Sequence, residues 1–84
     1  TFSATFVRLG QLYMEQGMTE KSQTAFERAI NLNINALDAY LGLGQLHLDQ
    51  GDWGQAVERF DTALVIDPES QVALAGRDQA KSKL

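Results

Sequence analysis

Residues 6–17 read FVRLGQLYMEQG, and residues 40–51 read YLGLGQLHLDQG. The two segments share the tetrad LGQL at the same place, and both end on Gln-Gly. The same 34-residue offset also matches Phe26 with Phe60, and no gap is needed anywhere. Matches grouped at one fixed offset indicate an internal repeat, in which copies of one structural unit stack along the chain.

Each copy has the pattern of two helices. In the later copy, apolar or aromatic positions recur at steps of three and four, as one face of a helix requires, at Tyr40, Leu43, Gly44 and His47. Gly51 interrupts this pattern, and a second stripe follows at Ala56, Phe60, Ala63 and Leu64. We therefore predict an all-α fold of five antiparallel helices in a right-handed solenoid, with helices near 3–16, 20–32, 37–50, 53–66 and 70–82.

The ends of these helices have sequence signals of their own. Thr19 and Asp52 are predicted to cap the second helix of each copy, because their side chains can accept bonds from free helix N–H groups. Pro68 ends the second copy, since proline cannot donate the interior helix bond. A last short helix follows and becomes polar, as the terminal helix of a repeat array must. We divide the single domain into repeat 1 (3–36), repeat 2 (37–70) and a capping helix (70–84).

Composition excludes several classes of function. The 84 residues are 44% hydrophobic and contain no cysteine, so disulfides and thiolate metal sites are absent. Apolar runs are only a few residues long, which argues against membrane insertion. The net charge is −4, and residues 37–70 contribute one basic and seven acidic side chains, 1 − 7 = −6. An acidic centre argues against nucleic acid as a partner.

The chain begins at Thr1 without a methionine or a signal-like segment. We therefore interpret it as a segment of a longer protein, from which a targeting or anchoring element has been left out. The absence of cysteine fits a reducing compartment and favours a cytoplasmic location.

No residue pattern recommends catalysis, a cofactor or a metal. His47 is the only histidine and stands in the apolar stripe, where packing is expected. Trp53 opens a helix, and packing against the preceding turn is expected there too, with an interface anchor as the alternative. Gly42-x-Gly44 has no preceding strand and no phosphate-loop motif, and the segment 49–52 lacks the ligand spacing of a calcium loop.

The pattern resembles the tetratricopeptide repeat family. The residues that carry the resemblance are Tyr40-x-x-Leu43-Gly44-x-x-His47, Ala56-x-x-x-Phe60 and Pro68, and in the earlier copy Phe6-x-x-Leu9-Gly10-x-x-Tyr13 and Ser22-x-x-x-Phe26. The chain departs from the family pattern at Ser22, at His47 and at Ile34, where alanine, an aromatic residue and proline are usual. These departures leave the register intact.

The resemblance implies that the first helix of each hairpin lines a concave groove that holds a partner. The implied groove residues are Val7, Gln11, Met14, Glu15, Asp38, Leu41, Gln45, Leu48, Asp49, Val72 and Gln79, together with Ala4 and Ala75. Gln11 and Gln45 could bond a peptide backbone, and Glu15 and Asp49 place a carboxylate at the same edge of both repeats. The other interpretation of these polar residues is an ordinary solvated helix surface.

The best-known groove chemistry in this family clamps the C-terminal carboxylate of a partner. That clamp requires basic and asparagine side chains, and this chain has Val7, Gln11, Gly42, Val72 and Gly76 at the corresponding positions. The resemblance therefore does not extend to an adaptor for chaperone tails.

These observations favour a non-enzymatic protein-interaction module, a scaffold or adaptor that holds an apolar protein segment with basic residues. The alternative is a self-assembly element that forms homo-oligomers through exposed hairpin ends. That alternative rests on Phe2, Phe6 and Leu12, because no preceding helix is present to cover them.

Overall fold

A computed structural model describes all 84 residues and contains five α-helices and no strand. The helices are α1 (Phe2–Glu15), α2 (Thr19–Leu32), α3 (Leu37–Gln50), α4 (Trp53–Ile66) and α5 (Gln71–Lys81). Each predicted helix is confirmed, with ends that differ from the expected ones by no more than one residue. None of the five combines the length and the apolar character that a bilayer-spanning helix needs.

The turn inside each repeat depends on a glycine. Gly17 has φ 73° and Gly51 has φ 77°, a left-handed conformation that side chains with a Cβ rarely adopt. After Gly17, the Met18 N–H donates to the Tyr13 carbonyl at 2.9 Å, and the bond at the same place after Gly51 measures 2.8 Å. These bonds satisfy carbonyls that the helix ends leave free, so each glycine fixes where its hairpin turns.

The predicted N-caps of α2 and α4 are corrected by this turn geometry. The cap position of α2 is Met18, and Thr19 is already the first helical residue. Asp52 does occupy the cap position of α4, but its side chain makes no capping bond. Its carboxylate instead lies 3.8 Å from Nδ1 of His47. Because the glycine turn fixes both hairpins at one length, the cap falls at the residue directly after the glycine, whatever its side chain.

The links between repeats are built alike although only one contains proline. In the first link, Asn33 Oδ1 accepts a bond from the Asn35 N–H at 3.0 Å. In the second, Asp67 Oδ1 accepts from the Glu69 N–H at 3.2 Å. A short polar side chain that bonds the backbone two residues ahead stabilises such a turn by itself. This explains why repeat 1 tolerates the absence of proline.

The core of repeat 1 is centred on the ring of Phe26, which is fully buried. The ring lies between Gly10 of α1 and Gly42 of α3. A Cβ atom at Gly10 would lie 2.7 Å from the ring, and one at Gly42 would lie closer still. Both distances are below ordinary van der Waals contact, so the two glycines are what allow α1 and α3 to close on this ring.

Repeat 2 contains the same arrangement 34 residues later. Phe60 is 1% exposed and lies between Gly44 of α3 and Gly76 of α5. A Cβ atom at Gly44 would lie 2.7 Å from its ring. Two apolar clusters result, one of Phe26, Ala29, Ala36, Ala39, Leu43 and Leu46, and one of Leu48, Ala56, Phe60, Ala63, Ala73 and Ala80.

The departure at Ser22 has a structural reason. Its buried hydroxyl donates to the Gly10 carbonyl at 2.7 Å, and Ser3 makes a comparable bond to the Ala29 carbonyl at 3.0 Å. A buried hydroxyl is tolerated only when it is bonded in this way. The two bonds join α1 to α2 at both ends of the hairpin.

The helices form two rows. α1 contacts α3 and α3 contacts α5, whereas α2 and α4 do not touch each other. The odd-numbered helices therefore form a continuous inner row, and α2 and α4 stand apart on the outer side. At the end of the stack, Ala73 and Ala80 of α5 close the second cluster. The rest of α5 is mostly polar and exposed, including Asp78 and Lys81.

Candidate partner-binding surface

The candidate site is the solvent-facing side of the inner row α1, α3 and α5. Because the repeats superpose at a 34-residue offset, equivalent positions on α1 and α3 point in the same direction. Of the eleven predicted groove residues, seven are exposed, namely Gln11, Glu15, Asp38, Gln45, Asp49, Val72 and Gln79. These seven form the accessible part of the surface, which we call the inner surface.

The apolar members of the predicted groove are less available. Val7 and Met14 are half-buried and pack against the first cluster. Leu41 is half-buried and packs against the second cluster. Leu48 is only 6% exposed and belongs to the second cluster itself. The sequence-based assignment of Leu48 to ligand contact is therefore corrected, because stacking of neighbouring helices consumes its side chain.

The charge of the inner surface is uniform in sign. Glu15, Asp38 and Asp49 are all exposed, and no lysine or arginine is among the seven residues. Gln45 Nε2 donates to Asp49 Oδ1 at 3.0 Å, so these two predicted site residues are held together. The Gln11 side chain makes no bond of this kind and keeps its amide free for a ligand. Three carboxylates without a counter-charge give the surface a negative potential.

A model of the tetratricopeptide repeat family matches residues 7–71, which is most of the chain. The chain belongs to the tetratricopeptide repeat family. Repeats of this family generally mediate protein–protein interaction, and the family fold is typically non-catalytic. No curated protein matches the chain in sequence.

A solved structure supports the tetratricopeptide fold independently. The Arabidopsis OM64 TPR domain superposes with a TM-score of 0.94 at 16% sequence identity, covering 98% of this chain and 68% of that chain. At this identity the similarity establishes the fold alone. A mirror-image stack would not superpose in this way, so the predicted all-α, right-handed solenoid is confirmed.

Two glycines acquire a role that sequence analysis did not give them. Gly42 and Gly76 stand 34 residues apart, and each lies against a buried phenylalanine ring. We considered Gly42 only as part of a phosphate loop and Gly76 only as a missing clamp residue. The offset between them was the available signal, since it pairs repeat 2 with the capping helix.

The residues considered for chemistry lie in packed surroundings. His47 is 5% exposed, and Asp52 is the only carboxylate close to its ring. Trp53 is half-buried and packs against the second cluster, with the Lys83 ammonium 6.0 Å from the ring centre. No group of three His, Asp or Glu side chains lies together as a metal site would require.

The largest cavity of the molecule lies away from the inner surface. It is a cleft between α1 and α2, on the side that faces away from α3. The inner surface itself contains no cavity. Three inner helices, whose apolar side chains are mostly used in stacking, give a shallow surface rather than a deep groove.

Proposed function

We propose that this chain is a non-catalytic scaffold or adaptor that holds a basic segment of a partner protein on its inner surface. The observation that supports the proposal is the arrangement of Glu15, Asp38 and Asp49 on adjacent helices with no cation among them. Gln11 and Gln45 offer amide groups at equivalent positions for the backbone of the partner. Val72, 61% exposed on α5, offers apolar contact.

The burial of Leu48 changes the balance of forces in this proposal. Val72 and parts of Val7, Met14 and Leu41 are the apolar surface that remains for a ligand. Carboxylates at the surface contribute about 0.2–1 kcal/mol for each ion pair, but they raise the association rate by long-range attraction. We therefore expect affinity to depend on both the apolar contact and the summed negative potential.

The apolar part is tested by the change Val72→Ser. We expect it to weaken partner binding about tenfold, because burial of a valine side chain contributes about 1.5 kcal/mol. Val65→Ser is the matched control, since Val65 is 82% exposed on the outer side of α4. A partner captured from cells by the wild type and by Val65→Ser, and then titrated by calorimetry, provides the measurement. Equal weakening by both variants would contradict the proposal.

The electrostatic part is tested by changing Glu15 and Asp49 together to glutamine. We expect severalfold weaker binding of the same partner and a flatter dependence of affinity on salt, because screening acts on exposed charges. Glu27 and Glu58 changed to glutamine form the control, since both are exposed on the outer helices and alter the net charge equally. If the control pair flattens the salt dependence and the test pair does not, the inner surface is not the binding surface.

A further inference from the structure

The cleft between α1 and α2 is apolar at its floor and open to solvent. Phe6, Leu9 and Tyr13 of α1 and Ala25 of α2 line it, within a cavity of about 450 Å³. The three larger side chains are half-buried although no other element of the chain covers them. They lie on a different side of α1 from Gln11, so the cleft is separate from the inner surface.

The equivalent face of repeat 2 indicates what shape fits this cleft. There Leu43 is fully buried and Leu46 is 3% exposed, because α2 packs over them in the first cluster. In repeat 1 the equivalent Leu9 is half-buried and Leu12 is 44% exposed. The same face is thus covered by a helix in one repeat and open in the other. A helix is therefore the element that this face is shaped to receive.

A single small residue explains why the cleft exists only in repeat 1. Ala25 lies in its wall, and the 34-residue offset places Arg59 at the same position in repeat 2. Arg59 is half-buried, and no cavity lies beside it. A long side chain at this position removes the space that alanine leaves open.

Two cations stand at the edge of the cleft. The Lys21 ammonium lies 5.9 Å from the centre of the Tyr13 ring, and the Arg28 guanidinium lies 5.0 Å from that of Phe6. The only ion pairs in the chain are elsewhere, so neither cation has a carboxylate within 4.0 Å. They are seven residues apart, about 10 Å along the helix. Glu20 at one end of the cleft is the only opposing charge, and the residues equivalent to both cations in repeat 2 are uncharged.

We propose that this cleft docks an amphipathic helix of another protein, with acidic side chains on either side of its apolar stripe. The apolar stripe covers Phe6, Leu9 and Leu12, and two carboxylates spaced seven residues apart pair with Lys21 and Arg28. The aromatic rings hold both cations at the edge, which favours pairing with a helix lying along the cleft. This second surface is independent of the inner surface and faces away from it.

A second copy of this chain fits the cleft less well. The outer side of α4 carries Glu58 and Asp61, but Val65 is its only large apolar residue with high exposure. The exposed side of α5 is polar, with Asp78 and Lys81. Neither helix combines an apolar stripe with flanking acids, so a foreign helix is the better match.

The test uses a synthetic helical peptide of about 18 residues, long enough to form a helix in the bound state. Leucines repeat at steps of three and four, and glutamates spaced by seven flank them. We expect fluorescence anisotropy to show saturable binding, and a peptide with lysines in place of the glutamates to bind at least about tenfold more weakly. Absence of binding by the acidic peptide, or equal binding of both peptides, would overturn the proposal.

Two variants of the protein separate shape from charge. Ala25→Arg introduces the residue of repeat 2 and adds a positive charge. We expect it to abolish binding of the acidic peptide, whereas attraction by charge alone would strengthen it. Lys21→Glu with Arg28→Glu should reduce binding at least about tenfold. Lys81→Glu with Lys83→Glu changes the net charge equally at the exposed far end and should leave binding intact.

Circular dichroism melting of each variant shows whether the fold is retained, and Ala25→Ser is the backup if Ala25→Arg unfolds. The serine adds one polar atom to the cleft floor and should weaken binding severalfold. Undiminished binding by these variants would overturn the proposal. So would sedimentation showing a dimer that the cleft variants dissociate, because a second copy would then be the occupant. Loss of peptide binding in Val72→Ser alone would place the peptide on the inner surface, overturning this proposal and leaving the proposed function standing.

Discussion

Replacing Gly44 with leucine is expected to lower the free energy of unfolding by at least about 3 kcal/mol, at the upper end of what overpacking costs. A Cβ atom alone would lie 2.7 Å from the Phe60 ring. The ring cannot retreat, because Gly76 is in contact with its other side and only 1% of the residue is exposed. Thermal melting measures the effect, with about 4–8 °C lost for each kcal/mol in a domain of this size.

Gly54→Leu is the matched control for this prediction. Gly54 is also inside a helix, but no side chain or neighbouring helix lies within 4 Å of the place that a Cβ atom would occupy, and the residue is exposed. We expect unchanged stability or a gain of up to about 1 kcal/mol, because leucine is the better helix former. Combining Gly44→Ala with Phe60→Leu should recover part of the loss, since a smaller side chain makes room. Equal melting temperatures for Gly44→Leu and the wild type would show that the ring packing is described incorrectly.

The second large effect is expected from Phe26→Ala. Phe26 is fully buried between α1 and α3, and truncation of such a side chain costs about 3–5 kcal/mol. That is a large part of the total stability of a small domain, about 5–15 kcal/mol. In a repeat protein each unit contacts only its neighbours, so the loss should fall mainly on α1 and α2. We expect hydrogen exchange to accelerate most in those two helices.

Phe60→Ala distinguishes local loss from global loss. Phe60 joins α4 to both α3 and α5, in the middle of the stack, so its truncation should accelerate exchange in all five helices. Phe2→Ala is the surface control, because Phe2 is 79% exposed and should leave melting almost unchanged. Identical exchange patterns for the Phe26 and Phe60 variants would contradict a stack of separable repeats.

The two binding surfaces proposed here follow from one property of the stack. Stacking buries the side of α3 that faces repeat 1 and uses Leu48 on the side that faces α5. What remains on the inner surface is mainly polar and acidic. The matching side of α1 has no helix over it, so its apolar residues stay accessible. A partner of the inner surface is therefore selected mainly by charge, and one of the cleft by both apolar fit and charge.

The sequence by itself determined the helices, the hairpin turns and the order of the stack. Periodicity is local information, because apolar residues at steps of three and four define one helix face wherever the helix lies. Gly17 and Gly51 fix the turns for a similarly local reason, since their backbone conformation excludes most other residues. The 34-residue offset then predicted that the second unit would repeat the first.

The tertiary structure alone decided which side chains remain available to a partner. Leu48 and Leu12 are both leucines on inner-row helices, yet one is 6% exposed and the other 44% exposed. The difference depends on which neighbouring helix packs over each of them, and helical periodicity within one segment does not contain that information. Likewise Ala25 reveals a cleft only when α1 and α2 are placed side by side, because a cavity is a property of several segments together.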